Sequence, residues 1–446
     1  MFKGLVYLII AFLALSIVKL PWLASAVYLA TSILQPQAIW FWALDGIPIY
    51  KISAGMAIIG FIIMVMRKEI DWSGYWYKQN LFVILIWALV NLSDIFSPFP
   101  VYTANVNSEI LLGTFNTIVL MYFILVGTLN HEKGLKVLTF LFMGVIAYYI
   151  YWANSTYFNQ EWSQFRNNRL MGPENSPFKD GNVFAVLFVI IMPFFLFGFY
   201  YFKTKIIRVS CLLIIPFLWH AVLLTSSRGA LLALGVMTLL CAFMLKSKIL
   251  NILLCIGFSG FILTQGQIVI DRAYDTYQVV KENSGETANP RLVSWEIGID
   301  LAFKHPVLGV GPQRFVTASR AYFPGKSPHI AHNTLISIAA NNGIIAMVFY
   351  AWMLLSVWAR FRNTKQHFKH HQEQSFWGYI RDASTIGILG FFITSLFLDL
   401  LIFEAFYLLI LINMLGYHQF TQTLKVASDS EEEALDFSVR KPANEY

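Results

Sequence analysis

From Asn182 to Phe202 the chain runs for 21 residues without one charged side chain. A helix of that length rises about 30 Å, the thickness of a bilayer's hydrocarbon core. A soluble fold can hide one such helix, but not a dozen. Comparable apolar runs recur near 4–18, 22–34, 50–66, 81–97, 108–128, 135–153, 182–202, 209–225, 229–245, 249–266, 333–358, 384–402 and 404–417. Of the 446 residues 57% are hydrophobic and 13% are charged, and the mean hydropathy is +0.60. Soluble proteins carry about a quarter charged residues. The chain therefore reads as an all-α, polytopic membrane protein of about 12–13 transmembrane helices. It lacks the short alternating segments of a membrane β-barrel.

The net charge of +7 belongs to helix ends and does not argue for nucleic acid. Cys211, Cys241 and Cys255 fall in apolar runs with no metal-ligand spacing, so they read as buried thiols. Lys3 followed by an apolar run, with no small-residue cleavage site, reads as an uncleaved first span.

Short basic loops set the topology. Arg67-Lys68, Lys133 with Lys136, Lys203 to Arg208, Lys246 with Lys248, and the loop 359–383 alternate along the chain and are expected to be cytoplasmic. The opposite ends then face outward: 97–100, 154–181, the turn Ser226-Ser227-Arg228, and the long loop 267–331. Residues 1–418 form one transmembrane domain on this reading. Residues 419–446, with the acidic run Ser428 to Glu433, form a disordered cytoplasmic tail. Asn154-Ser155-Thr156 matches a glycosylation sequon, a weak three-residue signal.

Polar residues worth attention gather in the outward segments. Arg228 stands between two apolar runs on the outer side, against the positive-inside bias; snorkelling at the interface is the bland alternative. Arg291 follows Asn289-Pro290, a helix start. Its helix carries an apolar stripe of Leu292, Trp295, Ile299 and Leu301-Ala302, with Glu296 and Asp300 off it, and should lie along the outer membrane face. A cation in a first turn opposes the helix dipole, and an anionic ligand would resolve that. The alternative is a solvated arginine. Gly309-Val310-Gly311 reads as a tight turn that could bring backbone close to a substrate. Arg314 in the same loop is a further candidate contact. His332 opens a later apolar run and suits general-base work, with His305 and His329 as rivals on spacing alone. Asn333 is either a second substrate contact or the helix cap. Asp180 reads as a helix N-cap. No pattern in the outer segments suits a metal, and none calls for a cofactor.

Taken in order, Ser227-Arg228-Gly229, Arg291 with Trp295, His305-Pro306-Val307-Leu308-Gly309-Val310-Gly311, His332-Asn333 and Gly343 resemble the O-antigen ligase and O-antigen polymerase superfamily. The resemblance covers Asp180 to about Tyr350. The stretch from Leu34-Gln35-Pro36-Gln37 through Ile47-Pro48 also resembles, more weakly, the N-terminal part of exosortase-associated O-glycosylation ligases. The superfamily is similar to GT-C glycosyltransferases, with many helices and an outward active site. The resemblance implies a glycan donor on undecaprenyl diphosphate, bound by Arg228 and Arg291. It implies catalysis by His332 at the periplasmic face of a bacterial inner membrane. The acceptor would be lipid A core, a protein or a growing glycan. One position departs: the family usually has an acid before the last glycine, and here Asn342 precedes Gly343.

The expected activity is thus a glycan ligase, with a polymerase of the same superfamily as alternative. A transporter would place ionisable residues near the bilayer midplane, often in two repeated halves. The basic residues here sit at helix ends, and no repeat is detected. The topology has a direct check. Cysteine introduced at Lys281 should label from outside, and cysteine at Lys365 should label only after the membrane is permeabilised.

Overall fold

The computed structural model describes residues 17–44, 46–101, 108–245, 247–265, 290–325, 330–370 and 375–439. The first apolar run, 4–18, lies almost wholly outside these residues, as do the outer segment 266–289 and His329. The described helices, four-residue turns aside, are α1 Trp22–Leu34, α2 Ile49–Met66, α3 Lys78–Ile95, α4 Ser108–Thr128, α5 Glu132–Phe158, α6 Gly181–Tyr201, α7 Lys205–Thr225, α8 Arg228–Met244, α9 Lys248–Gln265, α10 Pro290–Lys304, α11 Phe315–Tyr322, α12 Thr334–Asn342, α13 Ile344–His370, α14 Phe376–Ser395 and α15 Glu404–Val439. One two-stranded hairpin, β1 Phe165–Arg166 with β2 Arg169–Leu170, joins α5 to α6. The protein is an all-α polytopic membrane protein.

Among the described residues seven helices are long and apolar enough to cross a membrane, and α8 and α9 are shorter apolar helices. α14 and α15 are less apolar because they carry buried polar groups such as Ser384, Thr385, Asn413 and His418. They face other helices and not lipid, so their polarity is met inside: Asn413 Nδ2 donates to Ser384 Oγ at 2.8 Å. Lipid is met by side chains such as Ile62, Leu213, Phe217, Phe243 and Leu355, all exposed.

α6 is the centre. Asp180 caps it, as the sequence predicts, accepting from the Asn182 and Val183 amides at 2.8 and 3.2 Å. From Phe184 to Gly198 every residue is buried, which is what a helix hydrophobic all round requires. α7 and α14 pack along it, and α8 packs on α14. α14 comes close because Gly387 and Gly390 have no side chains. A Cβ on Gly387 would stand 2.7 Å from the Ile190 carbonyl oxygen, and one on Gly390 would strike Met237 and Val189.

The bundle has two unlike ends. At one, Asp71 accepts from Asn130 Nδ2 at 3.0 Å and meets His418 Nε2 at 3.2 Å, close to the short basic loops. At the other gather the end of α3, the hairpin, the α7–α8 turn, residues 290–342 and the segment 396–403. This second end has its own small core of Ile297, Leu301, Val310, Phe315, Ala318, Ala331 and Ala340.

Three sequence expectations change here. The run 333–358 is not one span: it breaks at Gly343 into α12 and α13. The run 384–402 ends early, since α14 stops at Ser395. The tail expected to be disordered from 419 continues as helix to Val439. Its Ala, Leu, Glu and Lys residues favour helix, and extending a formed helix is easy where starting one is not. The sequon also falls away as a modification site. Asn154 lies buried in α5, donating to the Ile150 and Phe217 carbonyls at 2.7 and 3.0 Å.

Gly390→Leu should destabilise the bundle by about 1–3 kcal/mol or more through overpacking. Gly113→Leu, at an exposed position with nothing within 4 Å of its Cβ, should not. Thermal unfolding in detergent reads both.

Candidate active site

α10 begins with Pro290 at its first position, as expected. Its 15 residues rise about 22 Å, short of a bilayer core of about 30 Å. Its inner face is Ser294, Ile297, Gly298, Leu301 and Ala302. Leu292, Ile299 and Phe303 are exposed. The stripe read from sequence therefore divides: Leu301 and Ala302 turn inward, while Leu292 and Ile299 turn outward. A helix with protein on one side and an apolar flank on the other suits the membrane interface.

Residues 305–311 are zipped to the end of α12. The amides of Val310 and Gly311 donate to the Ala340 and Asn341 carbonyls at 2.9 and 2.8 Å, and Ile344 donates to Pro306 at 2.8 Å. These bonds serve carbonyls that the break at Gly343 leaves without helical partners. The two backbones approach so closely that a Cβ on Gly309 would strike Asn341, and one on Gly343 would strike the Val307 carbonyl; both glycines have positive φ, +68° and +91°. Gly309 and Gly311 therefore serve close backbone contact within the protein. Arg314 is likewise engaged. Its Nη1 pairs with Asp94 at the end of α3, and its Nε donates to the Phe99 carbonyl at 2.9 Å. It fastens the outer segment to the bundle. Asn342 is 2% exposed, too buried to present its side chain to a substrate.

His332 sits in the left-handed region, φ 48°, a conformation uncommon for a residue with a side chain. It is held from both sides. Trp295 Nε1, one turn along from Arg291, donates to the Ala331 carbonyl at 2.8 Å. Asn333 caps α12, accepting from the Ile336 amide at 3.2 Å, so its side chain is used as a cap. Thr334 Oγ1 donates to the Leu398 carbonyl at 2.7 Å and accepts from the Leu400 amide at 3.0 Å. One turn further, Ser337 Oγ donates to Asp399. Asp399 is open to solvent, yet it lies deep among protein atoms. Desolvation there pushes its carboxyl above the usual carboxylate range, against the Ser337 hydrogen bond.

Arg228 opens α8 and is exposed. The glycine beside it packs on Phe397, whose side chain a Cβ at 229 would meet at 3.0 Å. So the 396–400 segment touches both the start of α8 and the residue two past His332. The guanidinium of Arg291 is depressed from its usual value, first by burial and then by the charge of Arg228. The two arginines, 63 positions apart, share one electrostatic neighbourhood beside the His332 turn. Arg169 adds a third. From the hairpin, whose Asn167-Asn168 turn has positive φ at both residues, it donates to the Thr225 carbonyl at 3.0 Å and to Asn182 Oδ1 at 2.6 Å. It thereby holds the turn that presents Arg228.

The rival histidine is elsewhere. His305 lies 14 residues from Arg291, about 21 Å along α10. It hydrogen-bonds Tyr322 Oη at 3.0 Å and packs edge-on against Phe99. Burial, then Lys304, lowers its pKa.

A family model described as O-antigen ligase matches residues 211–351. The chain thus carries an O-antigen ligase region over that third of its length. The match runs from α7 into α13 and so takes in Arg228, Arg291 and His332. A second model, described only as a family of unknown function, matches residues 3–204. No curated protein matches the chain. Arg228, Arg291 and His332 thus fall in the ligase match, while the N-terminal helices, the hairpin and α6 fall in the second match.

Sequence reasoning missed Asp399 and the clamp role of Arg169. A lone carboxylate in Leu398-Asp399-Leu400-Leu401 was a usable signal, since a charge inside an apolar run needs a reason. Counting it as part of a span concealed it. The anchoring role of Arg314 is testable by stability. Arg314→Gln and Asp94→Asn should each cost about 1–3 kcal/mol, and the double variant should lose less than their sum, as read by thermal unfolding.

Proposed function

We propose that this protein is a membrane glycosyltransferase of the ligase type. It moves a glycan from undecaprenyl diphosphate to an acceptor hydroxyl at the periplasmic face of the inner membrane. The observation that supports the reading is that the charge of Arg228 reaches Arg291, whose helix also holds the backbone before His332 through Trp295. Like charges that lie near each other raise each other's energy, and an anion bound beside both offsets that cost. A diphosphate carries more than one negative charge and takes forked hydrogen bonds from guanidinium groups.

The chemistry then follows. The sugar's anomeric carbon is attacked by the acceptor oxygen, and its bond to the diphosphate oxygen breaks. Arg228 and Arg291 take up the charge that develops on the leaving diphosphate. His332 accepts the proton of the attacking hydroxyl. Attack opposite the leaving group inverts the anomeric centre. Asp399, one turn of α12 away, favours the protonated form of a base near it by its charge and orients the acceptor. The sidedness rests on the positive-inside pattern: the basic loops lie at the far end of the bundle from these residues.

Transfer from purified lipid-diphosphate glycan to an acceptor tests the roles. Losing either guanidinium should slow turnover about 30- to 1,000-fold, and lysine should rescue it poorly. His332→Ala should lose about 100- to 10,000-fold with donor binding retained, and activity should persist in chelator. Near-normal His332→Ala together with an inactive His305→Ala or His329→Ala would move the base elsewhere. A ladder of glycan on the same lipid, in place of a new product, would make the protein a polymerase.

The pH profile tests Asp399. A carboxylate with a raised pKa is ionised only above that pKa, so activity that needs its charge falls as pH drops through it. The acid limb should therefore lie above the normal carboxylate range and should disappear in Asp399→Asn.

A further inference from the structure

A cavity lies at the other end of the bundle, between α13, α14 and α15. It is open to solvent, and its empty space with that solvent included is about 320 Å³. Arg360 lies 17 residues beyond the Gly343 break, about 25 Å along α13, which removes this cavity from the ligase site. Two arginines line it, Arg360 and Arg381, with aromatic walls from Trp377, Tyr417 and Phe420.

The two cations are held differently. Arg381 pairs with Asp382 at 2.5 Å and covers the Phe361 ring at 5.1 Å. Arg360 donates from Nη2 to the neutral Asn413 Oδ1 at 2.6 Å and lies 5.8 Å from the centre of the Tyr417 ring. Among the described residues it has no carboxylate, and its buried Nε makes no hydrogen bond. A buried guanidinium normally meets an anion. The cavity therefore carries one uncompensated positive charge and an unsatisfied donor.

We infer that this cavity binds the phosphodiester headgroup of an anionic phospholipid. One negative charge matches one uncompensated arginine, and Arg forks onto phosphate oxygens. Three further features select a lipid over a soluble anion. The cavity sits at the basic end of the bundle, the end that faces the anionic cytoplasmic leaflet by the positive-inside rule. Its walls are aromatic. Trp358, 49% exposed and stacked on Phe361, belongs to the kind of aromatic belt that marks headgroup depth. Acyl chains would lie along the exposed apolar flank of α13 at Leu355.

Native mass spectrometry of the full chain in detergent tests this without any glycan substrate, so it stands or falls apart from the transfer reaction. Dioleoylphosphatidylglycerol should be retained about tenfold over dioleoylphosphatidylcholine, the order expected for one charge-assisted phosphate contact. Arg360→Gln should bring the two lipids to parity, and Arg360→Lys should keep a reduced preference. A photoactivatable phosphatidylglycerol headgroup should crosslink wild-type protein at residues 360–364, 377–385 or 413–420, which needs no variant. Parity of the two lipids in wild type, or crosslinks confined to other helices, would overturn the assignment. Equal thermal stabilisation by millimolar inorganic phosphate alone would give the cavity to a soluble anion instead.

Discussion

Inside a bilayer no water is present to satisfy a backbone amide or carbonyl that leaves a helix. That one constraint orders the whole molecule. Helices must run unbroken through the hydrocarbon layer, and irregular backbone must collect at the ends. Here the breaks lie at one end: Ser226 at the close of α7, the 396–403 segment, the loop 305–311 and the interruption at Gly343. Several of the groups these breaks free are answered by a neighbouring break. Val310 and Gly311 serve the carbonyls of α12, Thr334 serves the 398–400 turn, and Arg169 serves Thr225. The same interlocked segments carry Arg228, Arg291 and His332, the residues of the proposed site.

The N-terminal helices contribute differently. They hold no residue of the proposed reaction, but α3 supplies Ser93, Asp94 and Ser97, whose side chains bond the loop at Leu308, Arg314 and Val310. The region matched to a family of unknown function is thus the bracket on which the ligase region's outer segment is mounted.

What could be read from the chain was local. Asp180 as a cap, Pro290 as a helix start and Asn333 as a cap each depend on a few neighbouring residues, and each holds. The division of the chain into apolar helices was legible for the same reason. Long-range geometry was not. Gly343 sits in an apolar run and looks like an ordinary helical glycine until the 306–309 backbone is seen pressed against it. Gly309, Gly311 and Arg314 have the composition of a ligand loop, yet their partners are Asn341, Ser97 and Asp94, residues 30 to more than 200 positions away. Asp399 was hidden because hydropathy averages over a window and one carboxylate among leucines barely lowers it. That the charge of Arg228 is felt at Arg291 follows from no local rule, since the two residues lie in separate helices.

The exposed flank of α10 has a consequence for where the proposed transfer from a polyprenyl diphosphate can occur. Leu292, Ile299 and Phe303 face away from the protein, and a helix with such a flank settles at the boundary between acyl chains and headgroups. Arg291 is at its first turn. The helix therefore acts as a float that fixes the height of the cation above the hydrocarbon. A polyprenyl diphosphate has its own fixed height, set by where its chain ends and its charge begins. The two levels coincide only in a bilayer of suitable thickness, so membrane thickness itself becomes a variable in how well the protein meets a lipid-borne anion.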